Sequence, residues 1–389
     1  MRRYLLGTLA LLILGCNNAS NEQNSESSIV DPHSKDEHHH SSEESRHGHH
    51  HSADTAEVET THYKEERHLK NVKQLSFGGD NAEAYWSFND DQLVFQSNNP
   101  NWGFGCDQIY IMELDSMTPT KVAPYLVSAG IGRTTCGYFM PGDSTVVYAS
   151  THSGSDDCPP EADRSSGRYV WAIYEDYEIY VGNKQGQIIS QLTDLPGYDA
   201  EATLSPDGTK IVFTSTRSGD LELYTMNLDG SDVVQVTDEL GYDGGAFFSP
   251  DGTKLVWRAS RPSTPEAQKE YKDLLAQGLV EPSDMELFVC DVDGSNKRQV
   301  TDLGGANWAP FFHPSGEKII FCSNHHTGGF PFNLFLINID GTGLEQVTFD
   351  KSFDSFPMFS YSGKHLVFGS NRNNGRTRDT NLFIAEWFD

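Results

Sequence analysis

Three cysteines stand close together in this chain, Cys106, Cys136 and Cys158, and thiols at such spacing do one of two things. In an oxidising compartment two of them form a disulfide and leave one over, the spacing alone not fixing which. The second reading is a thiolate metal site completed by His152. A denser set of ligating side chains lies further upstream, where His38, His39, His40, His47, His49, His50 and His51 sit among acidic residues. Imidazoles at that density chelate zinc, copper or nickel, with no geometry to select among them. Polar residues also recur at two fixed positions. One series is Asn81, Thr134, Asp199, Asp243, Asn307 and Asp354; the other is Asn99, His152, Arg217, Arg261, His325 and Arg372. Acidic and basic series at fixed offsets suit a polar ligand site, or ion-pair latches between structural units. Asp199, Asp243 and Asp354 could together hold a divalent ion such as calcium. Neither a G-x-S-x-G elbow nor an H-E-x-x-H helix is present, so the sequence offers no catalytic residue.

What positions these residues is a repeat. Its clearest copy reads QLTDLPGYDAEATLSPDGTKIVFTSTRSGDLELYTMNLDG, and the residue opening its central turn recurs as Ser87, Met140, Ser205, Ser249, His313 and Ser360. The separations are 53, 65, 44, 64 and 47 residues, so a unit of about 44 carries two long insertions. Eight positions after each marker stands Phe95, Tyr148, Phe213, Trp257, Phe321 or Phe368. Alternating runs bounded by Pro, Asp and Gly give four antiparallel strands per unit, A to D. The prediction is an all-β, six-bladed propeller over 69–389. Its first fourth-strand segment, 73–76, completes the last blade and closes the ring, and 121–123 is the fourth strand of blade 1.

Propeller geometry places the D-to-A and B-to-C loops on one face and the other turns on the opposite face. Here the turns are short, while every long insertion, including 151–176 and 261–284, falls in the first set. Elongated loops on a rigid scaffold are where binding chemistry sits, so that face is the expected contact surface. Arg133, His152, Tyr169, Trp171, Tyr271 and His325 are its candidate contact residues. Within the blade 4 insertion, Thr264 as N-cap, Pro265 at the first position and Gly278 as stop predict a helix over 266–277.

The ends and composition set the address. Arg2, Arg3, an apolar run and Ile13-Leu14-Gly15-Cys16 read as a signal peptide over 1–15 with lipidation at Cys16. Residues 16–68 are rich in Ser, Glu, Asn and His, too polar to form a core, and read as a disordered tether. A formal charge of −28 excludes a nucleic-acid partner by repulsion from phosphate. Cys290 and Cys322 fall in apolar runs, as buried thiols do.

The units SPDGTKIVFTSTR, SPDGTKLVWRASR and HPSGEKIIFCSN, with ELYTMNLDG, ELFVCDVDG and NLFLINIDG, resemble the TolB-like propeller repeat, also called WD40-like or PD40. Blades 1 and 2 depart from it in their SFND and MPGD turns. The resemblance implies a periplasmic six-bladed propeller that binds proteins in the envelope. Residues 17–68 are too polar to be the folded α/β domain that precedes the propeller in TolB. The expectation is therefore a non-catalytic, lipid-anchored, monomeric envelope protein, outer-membrane in location, that contacts a protein, peptide or glycan through its long-loop face. The rival expectation is a hydrolase or lyase acting on a cell-wall or polysaccharide fragment in the axial pocket with a divalent metal. A third is metal buffering by the histidine-rich tether.

Overall fold

In each repeat a serine, threonine or aromatic residue has a fixed structural task, and the ring follows from six repetitions of those tasks. The computed structural model describes residues 61–389 apart from 117, 120–122 and 376. The aromatic eight positions beyond each marker is fully buried in strand B, and it meets a strand C ring of its own blade. Phe95–Tyr110, Tyr148–Tyr180, Phe213–Tyr224, Trp257–Phe288, Phe321–Phe335 and Phe368–Phe383 have centroids 5.8–6.4 Å apart. Such pairs add attraction beyond the area they bury. The Thr of each QxT segment works on the backbone: Thr193, Thr237, Thr301 and Thr348 accept from the strand C amides of Ile179, Leu223, Leu287 and Leu334 at 2.8–2.9 Å. Ser205 organises the SPDG turn, donating to Asp207 (2.6 Å) and accepting from the Lys210 amide (2.9 Å).

Strand A is innermost in every blade: Asp80–Trp86, Thr134–Phe139, Asp199–Leu204, Asp243–Phe248, Asn307–Phe312 and Asp354–Phe359. Strands B and C follow outward, and short D strands form the rim. The last blade takes its fourth strand from Leu69–Gln74, which pairs antiparallel with Asn381–Trp387, so the ring closes as expected. That strand begins four residues before the expected 73–76. In blade 1 Tyr125–Leu126 pairs with strand C at the rim, while two of the residues expected there, 121 and 122, lie outside the described residues.

The described residues reach into the segment that composition assigns to the tether. Residues 61–68, assigned to the tether for their polarity, pack on blades 5 and 6 because their charges find fixed partners there. Tyr63 donates to Asp350 (2.5 Å), His68 stacks on Trp387 (4.9 Å), and Glu66 is buried against Arg372. The signal segment, Cys16 and the histidines at 38–51 lie outside the described residues. Among the described residues no helix is long and apolar enough to cross a membrane.

Candidate functional site: an aromatic axial chamber

The first polar series begins each strand A, and all six side chains are buried rather than ringing an open mouth. Five of the six are held by a residue at or just beyond the end of strand B of their own blade, and Thr134 is held by blade 1. Arg217 reaches Asp199 at 2.9 Å, Arg261 reaches Asp243 at 2.6 Å, and Arg372 reaches Asp354 at 2.8 Å. Ser97 and Ser323 donate to Asn81 (2.9 Å) and Asn307 (2.7 Å), while Thr134 donates to the Asp107 carbonyl (3.1 Å). The Asp–Arg pairs are latches, as one of the two readings had it, but each closes a blade on itself; the ties to a neighbouring blade come from Thr134, Asn81 and Asn307, which donate to the carbonyls of Asp107, Thr380 and Met285. The Asp–Arg pairs also correct the calcium expectation. Asp199, Asp243 and Asp354 belong to three blades, each neutralised by its own arginine, and among the described residues no three His, Cys, Asp or Glu side chains gather as a cation site. Burial nonetheless raises Asp243 to about 6 against the opposing pull of Arg261.

His152 and His325 occupy the arginine position in blades 2 and 5 and act alike. Each ring nitrogen meets the strand-ending serine, Ser150 at 2.8 Å and Ser323 at 2.9 Å, and each ring packs on a strand C aromatic, Tyr180 or Phe335. Burial lowers both imidazoles toward the neutral form. Asn99 caps a short turn and donates to the Gly78 carbonyl (3.0 Å). Tyr271 is also a packing residue: it is buried on the helix and donates to Asp220 of blade 3. That helix spans Pro265–Leu275, with Thr264 accepting from the Ala267 amide as its cap.

The functional cavity lies two residues further along strand A. There every blade carries a β-bulge, and the bulged residue has positive φ: Glu83 (53°), Cys136 (54°), Glu201 (59°), Gly245 (61°), Ala309 (47°) and Phe356 (53°). A bulge re-aims its side chain. All six line one axial chamber of about 380 Å³, within the range of about 300–1,000 Å³ typical of small-ligand sites. Its wall is heavily aromatic, with Tyr85, Tyr177, Tyr198, Tyr242, Trp171 and Trp308 prominent. Tyr85 and Phe247, ring centroids 5.9 Å apart, line both this chamber and a smaller cavity toward the short-turn face, so the axis narrows there.

A roof covers the chamber on the long-loop face. Trp171–Ala172 of the blade 2 insertion pairs antiparallel with Leu279–Val280 of the blade 4 insertion. Arg168 adds ion pairs to Glu270 (2.8 Å) and to Glu281, and Trp308 donates to the Pro282 carbonyl at 2.8 Å. A disulfide joins Cys106 to Cys158, tying the blade 2 insertion back to blade 1, and Cys136 is the thiol left over. The predicted contact residues divide at this roof. Arg133, Tyr169 and Trp171 line the chamber, with Tyr169 at its exposed rim, whereas His152, Tyr271 and His325 do not.

Charges within the chamber are set unequally. Glu201 accepts from Arg258 (2.5 Å), Tyr242 (2.8 Å), Thr214 (2.7 Å) and the Gly245 amide (2.8 Å). Burial alone would raise its carboxyl, but Arg258 and these donors hold it below the usual range. Glu83 has only the Cys136 thiol (3.0 Å) and the Tyr85 hydroxyl (3.4 Å), so burial pushes it up. The same burial, with Glu83 beside it, holds the Cys136 thiol well above its ordinary value and unreactive. Sequence reasoning missed Glu83, Glu201, Tyr242 and Arg258. One signal was available: Gly244-Gly245 in the middle of a strand, where a glycine marks close approach.

Residues 169–272 match the model of the TolB beta propeller domain. The chain is similar in fold to a protein assigned as TolB from Agrobacterium tumefaciens, at 19% identity and a TM-score of 0.50, over 80% of this chain and 91% of that one. TolB from Acinetobacter baumannii aligns at 17% identity and a TM-score of 0.49, over 77% and 64% of the two chains. An oligogalacturonate lyase in complex with manganese aligns at 14% and 0.45, over 82% and 93%. No curated protein matches the chain. Six closed blades make this a six-bladed β-propeller, and its segment in blades 2 to 4 resembles the TolB beta propeller domain.

Proposed function

We propose that the chain is a non-catalytic, lipid-anchored envelope protein that binds a protein partner by a peptide segment at the long-loop face, with the axial chamber as the recognition site. The observation that carries this reading is the convergence of two insertions from blades 2 and 4, which pair with each other over an aromatic chamber. Rigid aromatic rings in a recessed site are what anchor residues of a partner require. The TolB-like repeats support a protein partner in the envelope, and the Gly15-Cys16 sequence supports anchoring through lipid at Cys16. The long polar stretch before the ring supports a monomeric propeller held at a distance from the membrane.

Site-specific photocrosslinking tests the face. A benzophenone side chain in place of Tyr169, at the chamber rim, should capture a protein partner in intact envelopes, whereas one in place of Val233, on the outer edge, should not. Equal capture at both positions would refute the assignment. The hydrolase or lyase reading draws on one feature, the differently poised Glu83 and Glu201 facing one chamber, the arrangement of an acid and an ionised carboxylate. It lacks the expected Asp199, Asp243 and Asp354 metal site. Release of reducing ends from envelope polysaccharide by the wild type, lost in E83Q, would establish it over the binding reading.

A further inference from the structure

In five blades the bulged residue sends its own side chain toward the axis; blade 4 does something else. Gly245 leaves a gap, and the guanidinium of Arg258, from the neighbouring strand B, comes through it: a Cβ at Gly245 would lie 1.7 Å from Arg258 Nη1. Gly244 clears the second half of the arrangement, since a Cβ there would lie 2.4 Å from Glu201 Oε2. The corresponding strand B residues elsewhere are Gln96, Ala149, Thr214, Cys322 and Gly369, so a cation at this position is peculiar to blade 4.

Arg258 is fixed in place but not saturated. Its Nη2 donates to Glu201 (2.5 Å) and to the Tyr242 hydroxyl (2.7 Å), and its Cζ lies 5.4 Å from the centroid of the Trp171 ring and 5.1 Å from that of Tyr242. Its Nε is buried with no acceptor, and among the described residues its hydrogen bonds are made through Nη2. A buried donor without an acceptor is costly, and an oriented guanidinium is suited to a carboxylate. Arg133, on the same wall, likewise has a buried Nε with no acceptor. Glu83 offers no equal attraction for an ammonium, because burial, with Glu201 across the chamber, favours its neutral form against the one donor it has in the Cys136 thiol. The narrowing at Tyr85 and Phe247 blocks passage of a continuous strand, so a chain end fits the chamber better than a chain middle.

We propose that Arg258, presented through the gap at Gly245, anchors a carboxylate, and that the group seated in the chamber is the C-terminal carboxylate of a peptide segment. This rests on the protein-binding reading above and adds the chemistry of the ligand. Trp171 and Trp308 flank the site, 5.3 Å apart, so tryptophan emission of the full chain reports occupancy.

The probes are the tripeptide acetyl-Ala-Phe-Ala as the free acid and as the C-terminal amide, with digalacturonate as a sugar carboxylate. The acid should bind roughly tenfold or more tightly than the amide, the worth of one charge-assisted hydrogen bond. The double variant E201Q/R258Q, which removes both charges and leaves no buried ion alone, should abolish that preference while its far-ultraviolet spectrum stays native. R258K should retain part of it. Equal affinity for acid and amide, no response to either at millimolar concentration, or a preference that survives in E201Q/R258Q overturns the anchor. Binding of digalacturonate through Arg258 with no binding of the peptide acid overturns the peptide occupant. If Tyr169 still crosslinks a partner while acid and amide bind alike, the anchor fails and the binding face stands; if the crosslink is also absent, the reading of the face fails as well.

Discussion

Two rings of side chains lie two residues apart on the same six strands, and they do opposite things. The outer ring, Asn81, Thr134, Asp199, Asp243, Asn307 and Asp354, is polar in every blade, buried, and bonded to fixed structural partners. The inner ring, Glu83, Cys136, Glu201, Gly245, Ala309 and Phe356, shares one backbone conformation but no common side-chain type. Where the fold needs the same bond six times, the residues repeat. Where the fold supplies only a direction, aimed at the axis, each blade is free to differ, and five residue types at six positions around one space make an asymmetric site. Sequence regularity in a propeller thus marks architecture, and the neighbouring irregular position marks recognition.

Substitutions should separate the two rings, most sharply at blade 6. Arg372 is fully buried between Glu66 and Asp354, so R372A strands two carboxylates and should cost roughly 3–5 kcal/mol in denaturant unfolding. A loss below 1 kcal/mol would remove the latch from the account. The disulfide spans 52 residues, and the double variant C106S/C158S should lose about 2–4 kcal/mol while also loosening the roof, read as faster proteolysis within 151–176. Next come the acids that begin strand C. Burial raises Glu222 to about 8 and Glu178 to about 7 from 4.5, and both carry a buried oxygen with no donor. A carboxyl raised in the folded state is neutral in both states at low pH and opposes folding once the unfolded chain ionises. Stability should therefore fall as pH rises from about 4.5 through 8, and E222Q, which copies Gln108 at the same place in blade 1, should recover about 1–2 kcal/mol at pH 8.5 and flatten the curve. The smallest effect belongs to the inner ring: C136S should change stability by less than about 1 kcal/mol, because it keeps the size and the donor to Glu83. A larger loss would make that ring structural as well.

The ring, its blade count, its closure and its busy face were legible because each depends on a periodic pattern: the turn marker, the aromatic eight positions on, and loop length. The polar start of strand A was equally visible, yet its position was read as an open mouth. It is the bulged residue of each strand that lines the chamber, and a bulge depends on a local backbone conformation that Cys136, Ala309 and Phe356 do not advertise by residue type. Glu83 and Glu201 looked like ordinary polar positions of an alternating strand. Arg258 in KLVWRAS was the one residue out of keeping with its strand, and it gained meaning only beside Gly244-Gly245, which lies in a different strand. The pairing of Trp171–Ala172 with Leu279–Val280 joins segments more than 100 residues apart, and neither carries a strand pattern long enough to read. Residues 61–68 were misplaced because composition reports the absence of a core and says nothing of buried ion pairs.

Filling the chamber without touching a latch tests the central claim most directly. Ala309 shares its left-handed conformation with Phe356, so A309F places a ring in the chamber on a backbone that already accepts one in blade 6. With the Tyr169 crosslinker in the same chain, the account predicts an unchanged unfolding midpoint and loss of the crosslinked partner. A partner captured as strongly by A309F as by the parent protein would contradict it.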